Sequence, residues 1–114
     1  MKLNTLNLAA FLALGSVAGN IYAEPMVYGH GSKKCGSFVA AIEEKRAGNG
    51  EHVYQFMVWT SGYASAWSAE YKFDYFKNAD TKSLEIWLDN YCQKNPLDTY
   101  LMATIKLLGE LRDR

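Results

Sequence analysis

The chain has 114 residues, and its 12 Lys and Arg balance 12 Asp and Glu, so its formal net charge at pH 7 is zero. This balance argues against nucleic acid and strongly anionic membranes as partners, because a protein that binds phosphates needs a basic surface. The length allows one small domain with one modest hydrophobic core.

The first 23 residues have the pattern of a secretory signal peptide. Lys2 is their only charged residue, an apolar run follows from residue 8 to 18, and residues 21 to 23 offer a cleavage site. A membrane span needs about 20 residues, and this apolar run is shorter. The alternative interpretation is an N-terminal anchor that is not cleaved. Cleavage after Ala23 would leave 91 residues, with 11 Lys and Arg against 12 Asp and Glu. We therefore expect an exported protein without membrane attachment after cleavage.

The mature chain is predicted to begin with a flexible lead-in, residues 24 to 34, followed by a single helical domain, residues 35 to 114. The lead-in contains Pro, Gly, Ser and Lys without hydrophobic periodicity. Cys35 and Cys92 are expected to form one disulfide, because an exported chain enters an oxidising compartment. The two cysteines lie 57 positions apart. Closure of a loop of that length contributes roughly 4 kcal/mol by chain entropy.

The first predicted helix runs from about residue 35 to 47, with an apolar face formed by Phe38, Val39 and Ile42. The Gly48-Asn49-Gly50 sequence ends it, because glycine readily adopts the left-handed conformation that follows a helix.

The second predicted helix runs from about residue 51 to 67, and Glu51 suits its positive end. Its apolar positions recur at intervals of three and four: Val53, Phe56, Met57, Thr60, Tyr63, Ala64 and Trp67. Gly62 lies inside this helix, where glycine is about 1 kcal/mol less favourable than Ala. We therefore expect that Gly62 allows another helix to approach closely.

The segment from residue 68 to 80 is predicted to be an aromatic connector that folds back over the helices. Tyr71, Phe73 and Tyr75 alternate with polar residues, which is the spacing of a strand, but a single strand is not stable alone. Asp80 is a suitable N-cap for the third helix. That helix carries Leu84, Trp87, Leu88, Tyr91 and Cys92 on one stripe.

The Asn95-Pro96 sequence ends the third helix, because the residue before a proline avoids helical geometry. The fourth helix is predicted to start between Pro96 and Asp98. Its apolar stripe comprises Leu97, Leu101, Thr104, Ile105, Leu108 and Leu111. Together the elements predict an all-α domain, a small bundle of about four helices held by one disulfide.

The sequence contains no motif typical of an enzyme or a metal protein. Cys92 lies near the C-terminal end of a helix, whose dipole disfavours a thiolate, and neither His30 nor His52 neighbours a cysteine in a catalytic motif. The two His and two Cys lack the spacing of a metal site. We predict no catalytic residue, no metal ligand and no cofactor.

Aromatic residues are dense in this small domain, and two interpretations of them remain open. They can fill a small core, or they can form a protein-binding surface, where Tyr and Trp are favoured. The candidate binding residues are Trp59, Tyr63, Trp67, Tyr71, Phe73 and Tyr75.

Three stretches of the chain resemble the HdeA/HdeB family of periplasmic acid-stress chaperones. They are KCGSFV at residues 34 to 39, the pair Val58-Trp59, and YCQKNP at residues 91 to 96. The resemblance implies an all-helical periplasmic protein with a Cys35–Cys92 disulfide and no catalytic residues. It also implies a homodimer at neutral pH that opens in acid and binds unfolding periplasmic proteins.

The stretch WTSGYASAW, residues 59 to 67, is similar to the Rap/Tai-type immunity proteins of type VI secretion. Those proteins are also small, exported, helical and disulfide-bonded, and their last apolar helix also follows a proline. They typically carry more cysteines than this chain. This second resemblance implies a protein that neutralises one cognate toxin by binding it.

Overall fold

The computed structural model describes residues 26 to 114, and the predicted signal peptide lies outside them. Within this range the chain forms four α-helices: α1 Cys35–Arg46, α2 Glu51–Tyr71, α3 Thr81–Lys94 and α4 Tyr100–Arg112. One turn of 3-10 helix, Gly29–Ser32, precedes them and is called the N-terminal turn below. No strand occurs between residues 26 and 114. The predicted all-α fold with one Cys35–Cys92 disulfide is confirmed.

Two of the predicted helix boundaries depend on single residues that behave as expected. Gly48, two residues after the end of α1, has φ +104°. Glycine adopts this left-handed conformation without steric strain, and the helix does not continue past it. The Asp80 carboxylate accepts hydrogen bonds from the Ser83 backbone N–H at 2.9 Å and the Ser83 hydroxyl at 2.7 Å. Asp80 therefore caps the start of α3, where several N–H groups lack intrahelical partners.

Helix α2 is one turn longer than predicted, which shortens the aromatic connector to residues 72 to 80. The alternation of Tyr71 and Phe73 with charged residues led to the prediction that a connector begins at residue 68. Tyr71 instead packs its ring against Trp67, one helical turn earlier, at 5.3 Å between centroids. The helix ends at Tyr71, and the next residue, Lys72, is left-handed with φ 53°.

Helix α4 starts later than predicted because the preceding residues pair with the start of α1. The N–H groups of Cys35 and Gly36 donate to the carbonyl oxygens of Asp98 and Pro96, at 2.7 and 3.0 Å. The Tyr100 N–H donates to the Lys33 carbonyl at 2.8 Å. The first two bonds satisfy N–H groups at the start of α1, and the third satisfies the N–H of the first residue of α4, where neither helix itself supplies an acceptor. Thr99 is the N-cap of α4 and accepts from the Met102 N–H at 3.2 Å.

The disulfide lies at this same corner, with the Cα atoms of Cys35 and Cys92 4.8 Å apart. Both cysteines are completely buried. Leu84 and Leu88 are buried on the same stripe of α3, as predicted, whereas Trp87 and Tyr91 are only half-buried and stack on each other at 5.7 Å. The covalent bond thus joins α1 to α3 inside the core.

Tyr100 is the centre of the core, although the predicted stripe of α4 omitted it. Its fully buried ring packs against Phe38 and Phe56, at 5.1 and 4.7 Å between centroids. Its hydroxyl lies 2.6 Å from the Thr60 hydroxyl, and the Thr60 hydroxyl also donates to the Phe56 carbonyl. Leu97, which the predicted stripe included, is 83% exposed because it precedes α4.

No helix within residues 26 to 114 packs against Gly62, so the close approach expected there does not occur within this chain. A Cβ added at Gly62 would meet no heavy atom within 4 Å, and the residue is exposed.

We predict that replacing both cysteines with serine lowers the free energy of unfolding by about 2–4 kcal/mol, because the 57-residue loop gains conformational entropy mainly in the unfolded chain. Urea unfolding of the variant and of the oxidised protein, followed by circular dichroism, measures this difference. The reduced wild-type protein should be destabilised as well but less than the variant, because each serine buries a hydroxyl group at a completely buried position. Equal unfolding midpoints for all three forms would contradict the prediction.

Candidate protein-binding surface

A row of four aromatic rings in contact with one another follows one side of α2, and Phe73 of the connector joins it through the buried ring of Tyr75. It consists of Trp59, Tyr63, Trp67, Tyr71 and Phe73, and is called the aromatic row below. The first four lie four residues apart, so each ring meets the next one a turn further along the helix. Neighbouring centroids in α2 lie 5.2, 5.8 and 5.3 Å apart, with Trp59 and Tyr63 stacked. The helix spacing therefore preorganises an aromatic surface.

The rings of the aromatic row are accessible to a partner, and their contacts with one another restrict their movement. Tyr71 is 54% exposed, and the other members are half-buried. Each ring covers part of its neighbour, which limits the side-chain entropy that binding would remove. Tyr75, predicted as a binding residue, is only 5% exposed, so its prediction as a surface residue is wrong. It lies beneath the row, with its ring edge-on to Phe73 at 4.9 Å and to Trp67 at 6.0 Å.

Arg112 of α4 provides a cationic group at the connector end of the row. Its guanidinium carbon lies 4.6 Å from the Phe73 ring centroid, within the range of a cation–π interaction. The same side chain donates to the Tyr75 hydroxyl at 3.4 Å. The charged end of α4 therefore holds the connector against α4, a role that the sequence pattern did not indicate.

The N-terminal turn packs against the other end of the row, so the prediction of a flexible lead-in is wrong for residues 28 to 34. The Trp59 indole N–H donates to the Tyr28 carbonyl at 2.9 Å. Gly31 is buried against the Trp59 ring, and a side chain there would overlap that ring. Glycine is needed at this position because the Trp59 ring occupies the space of a side chain. The sequence pattern around Gly31 has no hydrophobic periodicity and gives no sign of this contact.

His30 is also part of this packing rather than a solvated residue. Its ring lies edge-on to Phe56 of α2, at 4.6 Å between centroids, and its Nε2 atom is buried without a hydrogen-bond partner. Burial lowers the pKa of His30 below its usual value of 6.5, and the positive charge of Lys33 lowers that pKa further. The neutral imidazole is therefore the form that the folded protein favours.

His52 lies near the start of α2 and lines the same groove as His30 and Phe56. Its Nδ1 atom is 2.6 Å from a carboxylate oxygen of Glu44 in α1. This exposed pair connects α1 to α2, consistent with the surface position predicted for His52. It is too exposed to be a strong stabilising contact.

The described residues provide no arrangement typical of a catalytic or metal centre. Both cysteines are in the disulfide, and no group of three or more His, Cys, Asp or Glu in residues 26 to 114 is placed to hold a metal ion. In the same range, no helix is both long enough and apolar enough to cross a membrane. The most distinctive surface feature of this part of the chain is the aromatic row.

Comparisons of the chain with models of protein families, with curated proteins and with solved structures find no match. The function must therefore be argued from the residues and their geometry.

We predict that Gly31→Ala displaces the N-terminal turn from Trp59, because the added methyl group overlaps the indole ring. The tryptophan fluorescence maximum should shift to longer wavelength as Trp59 gains contact with water. Gly62→Ala is the matched control, since its Cβ meets no neighbour, and it should leave the spectrum unchanged. Identical spectra for Gly31→Ala and the wild type would show that the turn does not depend on this glycine.

The burial of His30 predicts a loss of stability in mild acid. Above pH 6.5 the imidazole is neutral in both states. As the pH falls below 6.5, the unfolded chain binds a proton before the folded protein does, so the free energy of unfolding decreases until the folded-state pKa is passed. His30→Gln should show a shallower decrease between pH 8 and pH 5 than the wild type, measured by urea unfolding. His52→Gln retains His30 and should keep its contribution; equal slopes for His30→Gln and the wild type would contradict the interpretation.

Proposed function

We propose that this chain is a periplasmic protein that acts by binding other proteins, and that it is an acid-stress holdase similar to the HdeA/HdeB family. The observation that carries the proposal is the aromatic row. Aromatic side chains bury large apolar areas at interfaces with little loss of rotamer freedom, which suits binding of apolar segments in unfolding proteins.

The disulfide supports export and a role in acid. Disulfides persist in oxidising compartments such as the bacterial periplasm. The Cys35–Cys92 bond does not depend on pH over the acidic range, because a disulfide has no ionisable group. Acid can therefore weaken non-covalent contacts while α1 and α3 stay joined.

Several contacts between helices require ionised carboxylates, and acid would remove them. Lys45 of α1 lies 2.7 Å from Glu85 of α3, and Arg46 lies 3.4 Å from Asp89. Protonation of these carboxylates abolishes both ion pairs. The chain without its first 23 residues would then carry 11 Lys and Arg, two His and an amino terminus without compensating negative charge. The resulting repulsion favours looser packing and greater exposure of the rings.

An immunity protein of the Rap/Tai type is the second candidate, and one observation favours it. The aromatic row is already accessible in the folded protein, with Tyr71 half exposed. A preformed surface suits a folded partner at neutral pH, because no rearrangement precedes binding.

We predict that the protein suppresses aggregation of a model client at about pH 2–3, measured by light scattering, and that Tyr71→Ala weakens this suppression. Tyr71 is exposed, so its truncation removes binding area without creating a cavity. Tyr54→Ala is the matched control, since Tyr54 is 69% exposed on α2 outside the row, and it should retain wild-type suppression.

Unchanged client aggregation in the presence of the wild-type protein would contradict the holdase proposal. A tight complex with one toxin at neutral pH, lost in Tyr71→Ala and retained in Tyr54→Ala, would instead support the immunity function. If Tyr71→Ala retains both the suppression of aggregation and the binding of a toxin, the aromatic row carries neither function.

A further inference from the structure

Asn49 and Gly50 form the only Asn-Gly pair of the sequence, and they lie in the link between α1 and α2. Neither residue belongs to a helix, and Asn49 is exposed. An asparagine followed by glycine is chemically labile. The backbone nitrogen of the glycine can attack the side-chain carbonyl carbon of the asparagine, and glycine has no Cβ atom to hinder this approach. The link therefore contains a candidate site of deamidation.

The Gly50 nitrogen, which would be the attacking atom, is not held by another group. Its N–H makes no hydrogen bond to any acceptor in residues 26 to 114. Gly48 and Gly50 flank Asn49, and Gly48 already has φ +104°. Because glycine has few steric restrictions, the backbone on both sides of Asn49 can turn into the geometry that the attack requires.

The side chain of Asn49 lies on the side of the chain where this reaction occurs. Its Oδ1 atom accepts a hydrogen bond from the Glu51 N–H at 3.3 Å. The contact spans Gly50, so it keeps the side-chain carbonyl group of Asn49 close to the Gly50 nitrogen. It also directs a donor at the oxygen that becomes negatively charged during the attack. The N-terminal end of α2 adds a partial positive charge at the same place.

The other asparagines in the described part of the chain lack this combination. Asn78 is exposed as well, but the next N–H, that of Ala79, donates to the Phe76 carbonyl at 3.2 Å. Asn90 lies inside α3, and Asn95 precedes a proline, which has no N–H. Asn78 is therefore an internal control, since it matches Asn49 in exposure and differs in the attacking nitrogen.

We propose that Asn49 is a site of spontaneous deamidation in the folded protein. A base removes the proton from the Gly50 nitrogen, which forms a bond to Cγ of Asn49. The bond between Cγ and Nδ2 breaks, and Nδ2 takes up a proton and leaves as ammonia. One water molecule then opens the resulting succinimide ring at either carbonyl group, which gives an aspartyl or an isoaspartyl residue. No atom is oxidised or reduced, and water is the only co-reactant.

The two products affect the link between α1 and α2 differently. An isoaspartyl residue carries the main chain through its side chain and so adds one methylene group to the backbone. The lengthened link disturbs the bond at 2.9 Å between the Asn49 N–H and the Glu44 carbonyl at the end of α1. An aspartyl residue keeps the backbone and adds a carboxylate, which suits the positive end of α2. The reaction involves no residue of the aromatic row, so it is independent of the proposed function.

Peptide mapping by mass spectrometry tests the site. The oxidised protein is incubated in mildly alkaline buffer, both folded and in urea, and the acid formed at positions 49 and 78 is quantified over time. In the folded protein Asn49 should react at least about tenfold faster than Asn78, a difference of about 1.4 kcal/mol in activation free energy. Urea should accelerate the reaction of Asn78 more than that of Asn49, because unfolding frees the Ala79 N–H.

Two glycine variants test which atom attacks. Gly50→Ala should slow the reaction of Asn49 about tenfold, because the added Cβ atom hinders the attack. The fold tolerates this change, since Gly50 has φ −92° and the new methyl group would lie 3.5 Å from Cγ of Lys45, an ordinary contact. Gly62→Ala is the matched control, because Gly62 is exposed on α2 away from the link, and it should leave the rate unchanged.

The variant Asn49→Asp separates the effect of charge from the effect of backbone length. It carries the new carboxylate without the added methylene group, and it should keep the urea midpoint of the wild type. The isoaspartyl form, purified by chromatography, should unfold at a lower urea concentration. An isoaspartyl form as stable as Asn49→Asp would contradict the proposed effect on the link.

Equal rates at positions 49 and 78 of the folded protein, or no acid at position 49, would overturn the proposal. A reaction of Asn49 that occurs only in urea would overturn it as well, since the folded link would then protect the residue. An unchanged rate in Gly50→Ala would contradict attack by the Gly50 nitrogen.

Discussion

The covalent and hydrogen-bonded corner at Cys35 and Cys92 determines how the other elements are arranged. The disulfide joins the first residue of α1 to the last part of α3, and the backbone of residues 96 to 100 bonds to residues 33 to 36 across the same corner. Three chain segments are thereby fixed at one point. A domain of this size buries a limited apolar surface, so such a constraint supplies a substantial share of its stability.

This corner leaves α2 as the helix with the most free surface. One face of α2 packs into the core through Phe56 and Thr60, which contact Tyr100. The N-terminal turn occupies a short part of the remaining surface around Trp59. The aromatic row lies on the surface that remains. The row presents large rings that cover one another.

The fold class, the disulfide and the number of helices could be predicted from the sequence. They follow from the spacing of apolar residues and from the pair of cysteines, which are local or compositional signals. The sequence did not predict the features that tertiary contacts determine. Tyr100 is central because its hydroxyl meets Thr60, and the late start of α4 follows from pairing between residues 96 to 100 and the start of α1. Neither contact leaves a periodic signal in the sequence.

The candidate site shows the same division. Helical spacing correctly brought Trp59, Tyr63 and Trp67 together, since positions four residues apart meet on a helix. Tyr71 joins them because α2 is one turn longer than predicted. Beyond the helix the pattern was insufficient: Tyr75 is buried, and His30 and Gly31 pack against the start of the row. A glycine-rich segment without periodicity can still be ordered when a neighbouring ring fills the space that a side chain would occupy.

The most direct test of the account is to locate the surface that a bound protein contacts. A photoreactive phenylalanine analogue can replace Tyr71 in the aromatic row or Leu97 in the connector before α4, and both positions are exposed. After irradiation with an unfolding client at about pH 2–3, or with a toxin at neutral pH, mass spectrometry identifies the crosslinks. The account predicts crosslinks from position 71 and few from position 97. Equal crosslinking from both positions would contradict a binding role for the aromatic row.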